Sequence, residues 1–220
     1  MLGGIDEAGR GPVLGPMVMA IVAIKPQDEP FLKRIGVKDS KLLTKKKRDE
    51  LYSIITNKFD FKILIISPTQ IDEHVRSETS SLNMLEAETS SKLINLMANL
   101  NFKEVIVDLP AKNKETYVNK IKSNLKKPVP IKAEFKADVN YLVVGAASIL
   151  AKVTRDNEIQ KMEKALNIKL GSGYPSDKTT RLCVENHLNE LKKNNFIRQS
   201  WKTLDTVEQQ KVQKTLFSFQ

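Results

Sequence analysis

Four acids stand where an α/β fold keeps its chemistry, at strand ends and helix starts. Asp6 and Glu7 close the short apolar run 2–6. Asp108 sits near the end of Glu104-Val105-Ile106-Val107-Asp108-Leu109, and Asp138 stands just before a stretch of small apolar residues. Gathered carboxylates repel one another and raise each other's pKa, and a divalent cation removes that penalty. An all-oxygen ligand set suits Mg²⁺ or Mn²⁺ rather than zinc. Each acid also has a plain structural reading: Asp138 as the cap of the helix that follows it, Asp108 as an acceptor for the loop at Asn113. Asp6 and Asp108 share an edge only if their strands are neighbours, and Asp138 joins them only if its helix starts at that edge. His74 and His187, far apart in predicted helices, read as surface or packing residues. Cys183 reads as a core residue on its helix.

The elements that must position these acids follow from apolar patterning. Residues 2–6 and 16–25 predict two strands joined by a Gly/Pro-rich turn, and 61–67 a third. Thr44 predicts the cap of a helix over 45–58 with Leu51, Ile54 and Ile55 on its apolar face. Leu82, Leu85, Leu93, Leu96 and Met97 predict a longer amphipathic helix over 81–99. The run 104–109 predicts a fourth strand, stopped by Pro110, between two helices (the second over 113–125), and so a parallel strand. Residues 128–135 predict a fifth strand. A long helix over 139–165 begins with an all-apolar half, hence buried. A loop at 171–176 and helices over 179–194 and 203–216 complete the chain. The class is α/β: a mixed sheet with helices on both faces and a helical C-terminal part.

Composition narrows the partners. The chain has 220 residues, 40% of them hydrophobic, enough for a true core. It lacks any run of about 18 uncharged apolar residues, which excludes a membrane span of that kind. With a single cysteine and no basic-then-apolar leader, it is expected in the cytoplasm. The net charge is +10 and unevenly spread: residues 33–48 hold eight Lys/Arg against one acid, and 110–136 hold eight Lys against two. Such blocks suit a polyanion such as nucleic acid, or a lysine-rich solvated surface.

The order of motifs decides between these readings. Asp6-Glu7-Ala8-Gly9-Arg10-Gly11-Pro12 resembles the opening signature of ribonuclease HII, the type 2 ribonucleases H. Val37-Lys38-Asp39-Ser40-Lys41-Leu42-Leu43 resembles the family's Asp-Ser-Lys segment, and Val107-Asp108 its third acid. Lys136-Ala137-Asp138, followed by Ala146-Ala147-Ser148-Ile149-Leu150-Ala151-Lys152-Val153-Thr154-Arg155-Asp156, resembles its most recognisable block. Gly171-Ser172-Gly173-Tyr174-Pro175-Ser176-Asp177 and Arg198-Gln199-Ser200-Trp201 resemble later segments in an archaeal form. The resemblance covers roughly residues 3–205.

It implies a ribonuclease H-like catalytic domain over 1–168 and a helical substrate-binding subdomain over 169–220. It implies metal ligands and catalytic acids at Asp6, Glu7, Asp108 and Asp138, holding two Mg²⁺ or Mn²⁺ ions in the substrate complex. The implied substrates are RNA/DNA hybrids and duplex DNA with embedded ribonucleotides, cut on the 5′ side of a ribonucleotide to leave 3′-hydroxyl and 5′-phosphate ends. Gly9-Arg10-Gly11 would read the 2′-hydroxyl, which distinguishes RNA from DNA; as residues they also fit a tight turn between two strands. Tyr174 would stack on the sugar after the ribonucleotide, or else pack on the core. Lys41, Lys152 and Arg155 would meet phosphates. Type 3 relatives carry an extra N-terminal domain, for which a first acid at residue 6 leaves no room. A non-catalytic hybrid-binding module is the alternative, and the presence of all four acids speaks against it. A monomer is expected.

Beyond the nuclease segments, Gln213-Lys214-Thr215-Leu216-Phe217-Ser218-Phe219 resembles the peptide by which replication proteins dock on a sliding clamp, with Gln213, Leu216 and Phe219 as contacts. It departs from that pattern in having Gln220 for an aromatic. The same apolar residues could instead pack on the chain's own C-terminal helices.

Overall fold

The run Met17–Ile24 is buried along its whole length, as a strand covered on both faces must be. The computed structural model describes residues 1–37, 43–202 and 204. In chain order its elements are β1 (Leu2–Ala8), β2 (Met17–Ile24), a 3₁₀ turn (Pro26–Asp28), α1 (Glu29–Ile35), α2 (Lys45–Lys58), β3 (Asp60–Ile66), α3 (Pro68–Arg76) and α4 (Leu82–Asn95). There follow β4 (Glu104–Asp108), α5 (Lys114–Ser123), β5 (Ile131–Glu134), α6 (Ala137–Asn140), α7 (Leu142–Leu166) and α8 (Lys178–Lys193).

The sheet order is β3-β2-β1-β4-β5. β2 runs antiparallel to β1 and β3, while β4 is parallel to β1 and to β5. Alternation along β2 divides the core. Val18, Ala20, Val22 and Ile24 meet the apolar first half of α7; Met17, Met19, Ile21 and Ala23 join Leu85 and Leu93 of α4 and Ile121 of α5. On β1, a Cβ at Gly4 would lie 2.4 Å from the Val143 carbonyl carbon, so only glycine lets α7 lie this close to the strand that carries Asp6. A third core joins Val13 and Leu14 to Ile159 and Met162 of α7 and to Cys183, Val184, Leu188 and Leu191 of α8.

The five strands, the mixed sheet and Thr44 as the cap of α2 agree with the sequence-based expectation. Several details differ. The long helix expected over 139–165 is broken at Tyr141, whose extended backbone caps α7 and separates it from the short α6. Asp138 therefore lies inside α6 and does not cap α7. The amphipathic helix expected to reach residue 99 ends at Asn95, and Leu96 is 53% exposed rather than on the apolar face. The fifth strand is shorter than 128–135, because Pro128 and Pro130 have no N–H to give a ladder. The expectations did not include α1. The predicted helix over 203–216 apart from Leu204, Lys41, and the tail residues Gln213, Leu216 and Phe219 lie outside the described residues. Among the described residues no helix is long and apolar enough to cross a membrane.

Candidate active site

β1 and β4 pair in parallel with Ile5 opposite Val107. One residue further along, at the C-terminal end of β4, Asp6 lies beside Asp108. Carboxylate oxygens of Asp6, Glu7 and Asp108 all lie within 4.8 Å of one another. Asp138 is buried and lines the same cavity, of about 420 Å³. The bridge between them is a hydrogen bond: the Ala137 N–H donates to Asp108 Oδ1 at 2.7 Å, tying α6 to the end of β4. Asn113 caps α5 by accepting from the Thr116 N–H.

This grouping is electrostatically strained. Burial lifts the Asp6 carboxyl to about 7; the neighbouring Asp108 pushes the same way, while a Ser148 hydrogen bond and the Lys152 charge oppose. Glu7 is raised well above the ordinary carboxylate range by burial, then by Asp6, Glu86 and Asp108, with Arg10 opposing. Oxygen donors only, close spacing and mutual repulsion make a set that fits a hard divalent cation. The histidines stand apart, His74 bonded to Ser80 and His187 to Glu190. Among the described residues, four cations line the cavity: Arg10, Arg48 of α2, and Lys152 and Arg155 of α7. Lys152 donates to Ser148 on the same helix.

Against this geometry, comparison with known proteins is decisive. Residues 3–204 match the family described as Ribonuclease HII. The chain belongs to the ribonuclease HII family. It is 44% identical over 217 residues to a ribonuclease HII of Methanococcus maripaludis, covering 95% of this chain and 89% of that one. Its fold matches the ribonuclease H2 of Pyrococcus horikoshii with a TM-score of 0.82 at 37% identity, over 95% of this chain and 97% of the other. It matches equally the ribonuclease HII of Archaeoglobus fulgidus, solved as a complex with PCNA, with a TM-score of 0.81 at 35% identity, over 92% and 95%. The protein is thus a metal-dependent endoribonuclease with ribonuclease H activity on RNA/DNA.

For a member of this family the remaining residues of the cavity take on meaning. Gly9 has φ +80°, and a Cβ there would stand 2.4 Å from Arg155 Nε and 2.8 Å from the Pro16 carbonyl, so the position demands glycine twice over. Arg155 is buried. It donates to the Ser172 carbonyl at 2.9 Å and lies over the Tyr174 ring at 5.5 Å, which joins the glycine loop to the loop of Tyr174. Tyr174 is 40% exposed and also lines the cavity. Arg10 is committed sideways, Nε to Glu86 at 2.8 Å and Nη2 to Asn83 at 2.7 Å.

Sequence reasoning missed Glu86, and gave no individual role to Arg48 of the basic block 33–48 or to Ser148 and Asp156 of the segment that resembles the family. Glu86 is fully buried on α4, and burial raises its carboxyl to about 7 against the pull of Arg10. One signal was available: position 86 is four residues after Leu82 and adjacent to Leu85, on the apolar face of a predicted helix. Arg48 forms an ion pair with Asp156 at 3.3 Å across the cavity wall.

Proposed function

We propose that the enzyme hydrolyses the RNA strand of RNA/DNA hybrids and also incises duplex DNA on the 5′ side of a single embedded ribonucleotide, leaving 3′-hydroxyl and 5′-phosphate ends. The observation that carries this reading is one cavity that joins the acid cluster to the glycine loop and Tyr174. Asp6, Glu7, Asp108 and Asp138 would hold two divalent cations, Mg²⁺ or Mn²⁺, which when bound would supply activation of water and charge neutralisation at the leaving oxygen. The chain's own residues do the rest. Lys152 and Arg155, with Lys41, neutralise phosphates and fix the register of the duplex without reading its sequence. The backbone of Gly9, Arg10 and Gly11 approaches the ribose and hydrogen-bonds its 2′-hydroxyl. Tyr174 stacks on the following sugar, which places the scissile phosphate over the acids.

The test is cleavage, with Mg²⁺, of a duplex carrying one ribonucleotide, beside a long hybrid and an all-DNA duplex. Cuts on the 5′ side of the ribonucleotide are expected. Binding without cutting would favour a hybrid-binding module instead, and cutting of the long hybrid alone would remove the single-ribonucleotide activity.

We propose also that Gln213, Leu216 and Phe219 dock a sliding clamp. The complex of the Archaeoglobus relative with PCNA supports a clamp as partner. A chain ending at Gln210 should lose affinity for the clamp and keep its nuclease activity; equal binding by both forms would defeat the proposal.

A further inference from the structure

Arg198 is fully buried, and among the described residues its guanidinium hydrogen-bonds to carbonyls, with Asp72 and Glu86 acting on it only as neighbouring charges. Its guanidinium donates to three carbonyls of a single loop: Nη2 to Gly9 at 2.5 Å, Nη1 to Arg10 at 2.8 Å and Nε to Gly15 at 3.0 Å. Its own N–H donates to the Val13 carbonyl at 2.9 Å. Three residues on, the Trp201 indole N–H takes the Gly11 carbonyl at 3.1 Å, with the Arg198 guanidinium 4.9 Å from the ring centre. The segment bearing both residues is itself held. Asp72 of α3 accepts from the N–H groups of Gln199 and Ser200 and from the Ser200 hydroxyl, at 2.5–2.9 Å. Ile197 pairs with Leu14.

A buried guanidinium is an expensive way to hold a turn. Burial, with the Arg155 charge behind it, pushes Arg198 down to about 9. What the fork offers in return is geometry: several rigid, divergent donors, which lysine cannot reproduce. There is no cis peptide among the described residues, so each carbonyl points opposite to the N–H of the next residue. Drawing the Gly9 and Arg10 carbonyls back onto Arg198 turns the N–H groups of Arg10 and Gly11 the other way. Gly9 and Arg10 line the acid cavity, and Gly11 stands 3.7 Å, measured from an added Cβ, from the Tyr174 ring. Arg198 itself does not line the cavity.

We infer that Arg198, seconded by Trp201, is a positioning residue for sugar selectivity: it grips the carbonyl side of the Gly9–Gly11 loop and so presents the Arg10 and Gly11 amides to the 2′-hydroxyl. The inference rests on the reading of that loop given above. It makes selectivity depend on a residue that touches neither substrate nor acids.

The test uses equilibrium binding, with Ca²⁺ in place of Mg²⁺, to two duplexes that differ only in one ribonucleotide. The readout is the ratio of their affinities. Arg198→Lys should lower the ratio by about tenfold, the loss expected for one or two charged hydrogen bonds. Affinity for the all-DNA duplex and for Mn²⁺ should stay at the parent's value. Trp201→Phe, which removes a single donor, should lower the ratio by about two- to fivefold. A folded Arg198→Lys protein with the parent's ratio would overturn the inference, as would equal loss on both duplexes. If Arg198→Lys does not fold, Trp201→Phe decides, and an unchanged ratio there counts against it. A parent with no preference for the ribonucleotide is a different failure, because it strikes the proposed function itself.

Discussion

At the end of the sheet, Asp6, Glu7 and Asp108 are crowded until burial and mutual repulsion lift the Asp6 carboxyl to about 7 and Glu7 well above its ordinary range. A few residues on, the Gly9–Gly11 loop shows the opposite construction. Its carbonyls are all engaged from behind by Arg198 and Trp201, and in the proposed function its working groups are the backbone amides. One region stores unfavourable charge that a cation relieves; the other stores favourable hydrogen bonds that fix a direction. The acid cluster is therefore expected to tolerate removal of a charge and to lose chemistry. The loop is expected to tolerate very little change of shape, and to lose discrimination.

The largest effect should come from the acids. In Asp6→Asn or Asp108→Asn, cleavage with Mg²⁺ should fall to background, while melting temperature without metal holds or rises because a buried repulsion has gone. Residual cleavage near the parent's level would end the ligand assignment. Gly9→Ala should act in the reverse sense. A Cβ at φ +80° against Arg155 should lower stability by about 1–3 kcal/mol. It should also reduce cleavage while Mn²⁺ titration of the acids stays unchanged. Weakened metal binding there would erase the distinction between the two regions.

Tyr174→Ala probes the seam between them. Stacking on a nucleic acid is worth roughly 1–3 kcal/mol, so cleavage at a single ribonucleotide should fall by about 5- to 150-fold, more than duplex binding does. Equal performance on single-ribonucleotide and long-hybrid duplexes relative to the parent would remove the stacking role.

The last comparison is a pH dependence of stability without metal. An unfolded carboxylate titrates near 4, whereas Asp6 in the folded protein titrates at about 7. The folded state therefore holds this proton more tightly. The stability it contributes is complete below about pH 4 and is lost as pH rises to about 7. The melting temperature of Asp6→Asn should accordingly gain on the parent's across that window, and Mg²⁺ should close the gap. A constant difference from pH 4 to 7 would show that Asp6 is not strained.

Apolar periodicity was enough to show the five strands, their mixed character and most helices, because each pattern is local: a continuous run for a doubly covered strand, an i, i+3, i+4 stripe for a helix. Asp6, Glu7 and Asp108 stood out as acids that interrupt or end apolar runs, but only the order of motifs along the chain set them apart from caps and surface groups. The break at Tyr141 was not legible, since a tyrosine inside an apolar stretch carries no helix-stopping signal of its own. Only the tertiary structure decided the β1–β4 register that brings Asp6 beside Asp108 and the burial of Glu86 against Arg10. The same holds for the reach of Arg198 across 188 and 189 residues to the Arg10 and Gly9 carbonyls. A charged side chain on a helix or in a loop reads as solvated until its partner is known. When the partner is a backbone carbonyl, present at every position, no residue type in the sequence marks the meeting point.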